Sequence, residues 1–196
     1  MRVVSGTQKG RSLKAVPGNT TRPTTDKVKE ALFNIIGRNI YSAVFLDLFA
    51  GTGSVGIEAL SRGAAKAVFV DLERKAIQTI QYNLTAAKLS EKAIVKQTDA
   101  LKLVRQAPGE HYDFVYIAPP QYKNLWLEVL KALDANELWI REGTKFIVQI
   151  DPTEESAVEF KHLKATDQRR YGNTLLWFFA KNDDTQDEKP VEGYND

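Results

Sequence analysis

Three acids and three glycines carry the clearest chemistry in this chain. The stretch "DLFAGTGSVG" runs from Asp47 to Gly56, and Gly51, Gly53 and Gly56 satisfy the pattern G-x-G-x-x-G. It lies between a predicted strand and a predicted helix, the context a nucleotide-type fingerprint requires. Glycines let the backbone turn tightly against a ligand, and the helix beyond offers free N–H groups. Asp47 lies in the first strand, four residues before Gly51, Asp71 ends the second strand, and Asp99 opens the "TDA" turn after the third. Two cofactors fit such an array. A dinucleotide would seat its pyrophosphate on the helix N-terminus. S-adenosylmethionine would set its ammonium against Asp47, its ribose hydroxyls against Asp71 and its adenine near Asp99. Asp71 alone does not choose between them, because dinucleotide sites also place an acid there. The plain alternative is a tight strand–helix turn with no ligand. Three acids in register at three successive strand ends weigh against it.

The second chemical feature is "IAPPQY", residues 117 to 122, directly after the apolar run "YDFVY". Two prolines end any strand or helix, since neither carries an N–H and each fixes its φ. Open α/β sheets place their active sites at such strand ends. The carbonyls of Ala118 and Pro119, with Pro120, Gln121 and Tyr122, are therefore the candidate catalytic group.

The elements that must position these residues follow from apolar periodicity. "TTDKVKEALFNIIG" predicts a helix capped by Thr25 or Asp26 and closed by Gly37. From residue 44 strands and helices alternate. The strands are "AVFLDLFA", "KAVFVD", "KAIVKQ", "YDFVYIA" and "TKFIVQID"; the helices are "SVGIEALSRG", "ERKAIQTIQYNLTAAKL", "DALKLVRQA" and "NLWLEVLKALDAN". That alternation predicts βαβ units and a parallel sheet covered on both faces. Two late strand-like runs, "AVEFKHLKAT" and "TLLWFFAK", leave no room for a helix between them. Their linker "DQRRYGN" reads as a hairpin or loop, so at least one late strand is antiparallel. Trp126, Trp139 and Trp177 each lie inside an apolar run and read as core residues.

Bulk properties narrow the function. The chain has 196 residues, 43% of them hydrophobic, which suits one domain. No run approaches a membrane span, and the N-terminus lacks a secretory signal. There is no cysteine, so thiolate nucleophiles and zinc–cysteine sites are excluded and a cytoplasmic compartment is expected. With two histidines, His111 and His162, no metal site is expected. Residues 1–40 carry eight basic against two acidic side chains, and the last 16 carry two against six. This asymmetry reads as a nucleic-acid-facing end and a solvated tail, or as a basic arm that only confers solubility. The division expected is a basic arm over 1–24, a catalytic domain over 25–181 and a disordered acidic tail over 182–196.

Taken together, "RVVSGTQKGR", "TRPTTDKVKEALFNII", "DLFAGTGSVGIEALSRGA", "VFVDLERKA" and "QRRYGNT" resemble, in order, segments of the RsmD family, methyltransferases of a guanine exocyclic amine in small-subunit ribosomal RNA. The resemblance runs from Arg2 to Ala180. It implies a Rossmann-like α/β methyltransferase fold with a seven-stranded, mostly parallel sheet and an antiparallel last strand. It implies S-adenosyl-L-methionine as methyl donor, held by Asp47, Gly51, Gly53, Asp71 and Asp99 with their neighbours Phe49, Leu72 and Ala100. It also implies ribosomal RNA, naked or in a small-subunit particle, as partner of a monomer. Lys9, Arg11, Arg22, Arg169, Arg170 and Tyr171 are the candidate RNA contacts, cations beside an aromatic as phosphate contact and base stacking require. The plain reading of the last three is a solvated turn whose Tyr171 caps the sheet edge.

One departure stands out. The family pattern is Asp-Pro-Pro followed by Tyr or Phe, whereas this chain has Ala118-Pro119-Pro120, then Gln121 and Tyr122. An exocyclic amine is a poor nucleophile, and acceptors aimed at its hydrogens position it for attack. Ala118 offers only its backbone carbonyl. Three readings remain open: Gln121 and Tyr122 rebuild the site, the target nitrogen or base differs, or the chain binds RNA without methylating it. A nicotinamide-dependent oxidoreductase is the remaining rival, and neither histidine is placed to serve hydride chemistry.

Overall fold

The computed structural model describes residues 1–18, 24–121 and 123–183. The expectations for Arg22, Tyr122 and the tail beyond residue 183 lie outside the described residues.

Seven strands form one sheet in the order β3-β2-β1-β4-β5-β7-β6. β1 (Val44–Asp47), β2 (Lys66–Asp71), β3 (Ala93–Gln97), β4 (Phe114–Ile117) and β5 (Lys145–Ile150) are parallel. β6 (Leu163–Tyr171) and β7 (Thr174–Lys181) form a hairpin, and β7 runs antiparallel between β5 and β6. This is the expected Rossmann-like architecture with the last strand reversed. The chain order turns at β1 and β4, which carry Asp47 and the Pro-Pro turn at their carboxyl ends. That switch point is where doubly wound sheets bind ligands.

The helices are α1 (Asp26–Ile36), α2 (Ser54–Ser61), α3 (Arg74–Ala86), α4 (Ala100–Val104) and α5 (Leu125–Asp134). Thr25 caps α1 by accepting from the Val28 N–H, and Gly37 ends it at φ +59°. Two apolar layers sandwich the sheet. One joins α1, α2 and α3 to Phe45, Phe69, Tyr116, Ile147 and Phe178. The other joins α4 and α5 to Leu46, Val68, Val115, Phe146 and Phe179. Side chains alternate across each strand, so consecutive residues feed opposite layers. Trp126 is fully buried, Trp139 stacks on Tyr112 and Trp177 packs against Phe179. All three are core residues, as expected.

The reading of "DQRRYGN" as a linker is corrected. Asp167 to Tyr171 pair with β7, and the turn is confined to Gly172 and Asn173. The preceding "AVEFKH" (157–162) is not strand. β6 is the outer strand and exposes much of both faces, so its polar run pairs without showing the alternation of a half-buried strand.

Residues 1–18 pack closely on the domain. Val3 is fully buried and Leu13 nearly so. Arg2 and Ser12 bridge in antiparallel fashion, and the Val4 and Ser5 N–H groups donate to the Glu58 carboxylate at 2.7 and 2.9 Å. Among the described residues, no helix is long and apolar enough to cross a membrane.

Candidate active site at the carboxyl ends of β1, β2 and β4

Asp47 is the last residue of β1 and is 1% exposed. Its Oδ1 is buried with no hydrogen-bond partner among the described residues. A buried carboxylate oxygen without a donor is costly, so such a group marks either a functional site or an absent partner. Burial pushes the Asp47 carboxyl up to about 7; the Gly56 amide opposes this, the Asp71 charge adds to it, and the Phe49 amide opposes it.

The three glycines do different work. Gly51 sits at φ +55°, and a side chain there would meet nothing within 4 Å, so the space over the turn is open. Gly53, at φ +76°, starts α2 in the left-handed region. Gly56 lies inside α2, where an added Cβ would stand 2.3 Å from Phe69 Cε1. Glycine at 56 therefore lets α2 approach β2 closely.

Asp71 braces the turn. Its Oδ2 accepts from the Gly51 N–H at 2.8 Å and its Oδ1 from the Glu73 N–H at 2.9 Å. A carboxylate has about four acceptor positions, so each oxygen retains one for a hydroxyl. Leu72 beside it is 59% exposed, an apolar side chain held toward solvent. Asp99 caps α4, its Oδ1 accepting from the Lys102 N–H at 2.8 Å. Its neighbour Ala100 is buried, and Phe49 is half-buried beyond Asp47. The site thus offers a buried carboxyl oxygen without a donor, an open glycine turn, acceptors at the second strand end and an exposed apolar side chain. That set suits the ammonium, ribose and adenine of S-adenosylmethionine. Seating a pyrophosphate here would bring it against the Asp47 and Asp71 carboxylates.

The Pro-Pro turn follows β4 directly. Ala118 is half-buried against the same apolar layer as Tyr116, Pro119 is buried, Pro120 is exposed and Gln121 is half-buried. Asp47 and Tyr116 are direct register partners across β1 and β4. Tyr116 is 1% exposed; burial pushes its phenol far up, and its hydroxyl donates to Gln149 Oε1. The Gln149 amide in turn donates to the Thr24 hydroxyl at 3.3 Å.

The candidate RNA residues fall in two places. Lys9 and Arg11 are exposed on the N-terminal segment. Arg169 and Arg170 are exposed on β6, where Arg169 Nε reaches Asp167 Oδ2 at 3.1 Å and Arg170 Nε reaches the Gly172 carbonyl at 3.2 Å. Tyr171 is half-buried against the layer that holds Ala118.

Sequence reasoning missed the group that joins the N-terminal segment to this site. Glu58, fully buried on α2, accepts from Val4, Ser5 and Arg62 Nε, and lies 3.8 Å from the equally buried Lys29 Nζ of α1. Desolvation lowers the Lys29 pKa against the raising effect of Glu58 and Asp26. Lys29 Nζ also donates to the Arg2 carbonyl. On α3, Asn83 accepts from the Lys14 N–H at 2.8 Å and donates to the Lys14 and Thr52 carbonyls. Tyr116 and Gln149 were missed as well. All these residues sit in amphipathic or apolar runs, and only the tertiary pairing reveals them.

The model for the family described as conserved hypothetical protein 95 matches residues 1–180. Bacillus subtilis YlbH is 42% identical over 183 residues, covering 92% of this chain and 99% of that protein. The ribosomal RNA small subunit methyltransferase D of Haemophilus influenzae is 35% identical, covering 77% of this chain and 79% of that protein. Among solved structures, yhhF from Escherichia coli superposes with a TM-score of 0.81 at 28% identity, covering 92% of this chain and 97% of that one.

Proposed function

The chain belongs to the conserved hypothetical protein 95 family, the RsmD family, and from that premise we propose that it methylates the exocyclic N2 amine of a guanine in small-subunit ribosomal RNA. At the coarser level it is an S-adenosylmethionine-dependent rRNA methyltransferase of the RsmD type. The observation that carries the active-site reading is the buried Asp47 Oδ1, without a donor, at the mouth of the glycine turn.

Asp47 and the Gly51–Gly53 turn hold the amino-acid end of the donor, Asp71 its ribose, and Asp99 with Ala100 and Leu72 its adenine side. Bound there, the donor supplies an electrophilic methyl group on a sulfonium. The chain's own contribution is to hold the target nitrogen in line with it. The carbonyls of Ala118 and Pro119 accept from the amine hydrogens, and proline at 119 and 120 keeps backbone N–H groups out of that space. With those carbonyls holding the amine hydrogens, the nitrogen lone pair would face the donor's methyl group, and the amine proton would pass to solvent, since Ala118 has no side-chain base to take it. In this reading Lys9 and Arg11 on the N-terminal segment and Arg169, Arg170 and Tyr171 on β6 contact the RNA. In this reading the chain acts as a monomer on rRNA, naked or in the small-subunit particle.

The absence of a carboxylate at position 118 favours one second reading, an RNA-binding homologue that has lost catalysis. Tritiated methyl transfer to naked rRNA and to small-subunit particles lacking the modification separates the two. Wild-type transfer that Asp47→Ala abolishes, mapped by mass spectrometry to one guanine N2, supports the proposal. Binding of RNA without transfer supports the second reading. Transfer to another atom corrects the target.

A further inference from the structure

Tyr116, Ala118, Ile147 and Gln149 share one face of the sheet, because side chains alternate and Tyr116 pairs with Ile147 across β4 and β5. The backbone ladder between these strands ends at Ile117 opposite Val148. Beyond it, Ala118 and the Pro-Pro turn have no strand partner on the β5 side. The next position on β5 is Gln149, one residue past the last paired position. Its carboxamide is engaged on two sides. Oε1 accepts the proton of the buried Tyr116 hydroxyl, and Nε2 donates to Thr24 at 3.3 Å, just before α1. Thr24 also hydrogen-bonds the Tyr116 side chain, so Gln149, Tyr116 and Thr24 form one cluster that ties the end of β4 to β5 and to the entry of α1.

Ala118 cannot contribute a side-chain acceptor, so the direction of its carbonyl and that of Pro119 must be set from elsewhere. We propose that Gln149 is a positioning residue for methyl transfer, holding the Ala118–Gln121 turn against the bound donor through Tyr116 and Thr24. The inference rests on the functional reading above. Gln149 does not touch the reacting atoms; it sets the carbonyls that do. Tyr116 lies next to Asp47 across β1 and β4, so the clamp begins at the donor and ends at the substrate-side segment.

The test is steady-state methyl transfer to unmodified small-subunit particles by wild type, Gln149→Leu, Tyr116→Phe, the double variant and Gln149→Glu. Donor affinity is measured by calorimetry and folding by thermal unfolding. Each single variant lowers kcat roughly tenfold, the scale of one missing hydrogen bond, with donor affinity unchanged. The double variant is no slower than the slower single, because both remove one link. Gln149→Glu, which still accepts the Tyr116 proton, recovers part of the rate. Unchanged kcat in both single variants overturns the inference. So do additive effects, or effects that follow donor affinity or melting temperature. Should Gln149→Leu fail to fold, Tyr116→Phe carries the same comparison, since it removes only a hydroxyl. A wild type that transfers no methyl overturns the functional reading, and this inference with it.

Discussion

Donor binding should release a proton, and Asp47 is its source. Burial pushes the carboxyl up to about 7, against 3.8 for an ordinary aspartate. At about 1.4 kcal/mol per pH unit, holding Asp47 ionised in the empty fold costs about 4 kcal/mol. The folded state keeps its proton between pH 4 and 7 while the unfolded chain has lost it. Stability from this group is therefore full below pH 4, falls as pH rises to 7 and is flat above. The donor's ammonium prefers the carboxylate, so below pH 7 each binding event must expel the proton. The donor Kd should fall about tenfold per unit from pH 5 to pH 7 and level off above, with close to one proton released per site at pH 6. Calorimetry in buffers of different ionisation enthalpy counts that proton directly. Asp47→Asn should bind more weakly above pH 7, show no proton release, and be at least as stable as wild type at pH 8. A Kd constant from pH 5 to 7, with no proton release, would refute the assignment of Asp47 to the ammonium.

Glu58→Ala leaves the fully buried Lys29 without its buried carboxylate, with only the more exposed Asp26 remaining, and frees the Val4 and Ser5 amides. It should cost about 3–5 kcal/mol in denaturant unfolding, with hydrogen exchange rising first over residues 3–14. Gly56→Ala forces a Cβ within 2.3 Å of Phe69 Cε1; thermal unfolding should show a destabilisation of about 1–3 kcal/mol, largely recovered by adding Phe69→Leu. Arg169→Gln with Arg170→Gln should leave donor binding intact and weaken rRNA binding. The slope of log affinity against log salt should shrink by about 0.7 for each phosphate that the variant no longer neutralises, and an unchanged slope would remove β6 from the RNA surface.

The order of elements was legible because strand and helix periods alternate without interruption from β1 to β5, and because the glycine turn marks the first strand–helix junction. Asp47, Asp71 and Asp99 were legible for the same reason: each closes a strand or opens the turn after it. β6 was not. Arg169 and Arg170 lie on an edge strand with solvent on both faces, and a strand in that position needs no apolar alternation. Lys29 and Glu58 looked like ordinary charges on amphipathic helices. Nothing local shows that α1 and α2 turn those two side chains toward each other and away from water. Gln149 was hidden in a strand that is otherwise apolar after Lys145, and its meaning depends on its tertiary partners Tyr116 and Thr24.

The burial of Val3 beside the Glu58 anchor bears on how the chain folds as it is synthesised. Val4 and Ser5 find their partner only when Glu58 has emerged, and Lys14 must wait for Asn83. The amino-terminal segment leaves the ribosome first and settles among the last, exposing Val3, Leu13 and Val16 in the interval. Pairings so distant in sequence are slow to close. Substitutions at Glu58 or Asn83 should therefore lower the yield of folded protein at 37 °C more than they lower the stability of molecules that have already folded.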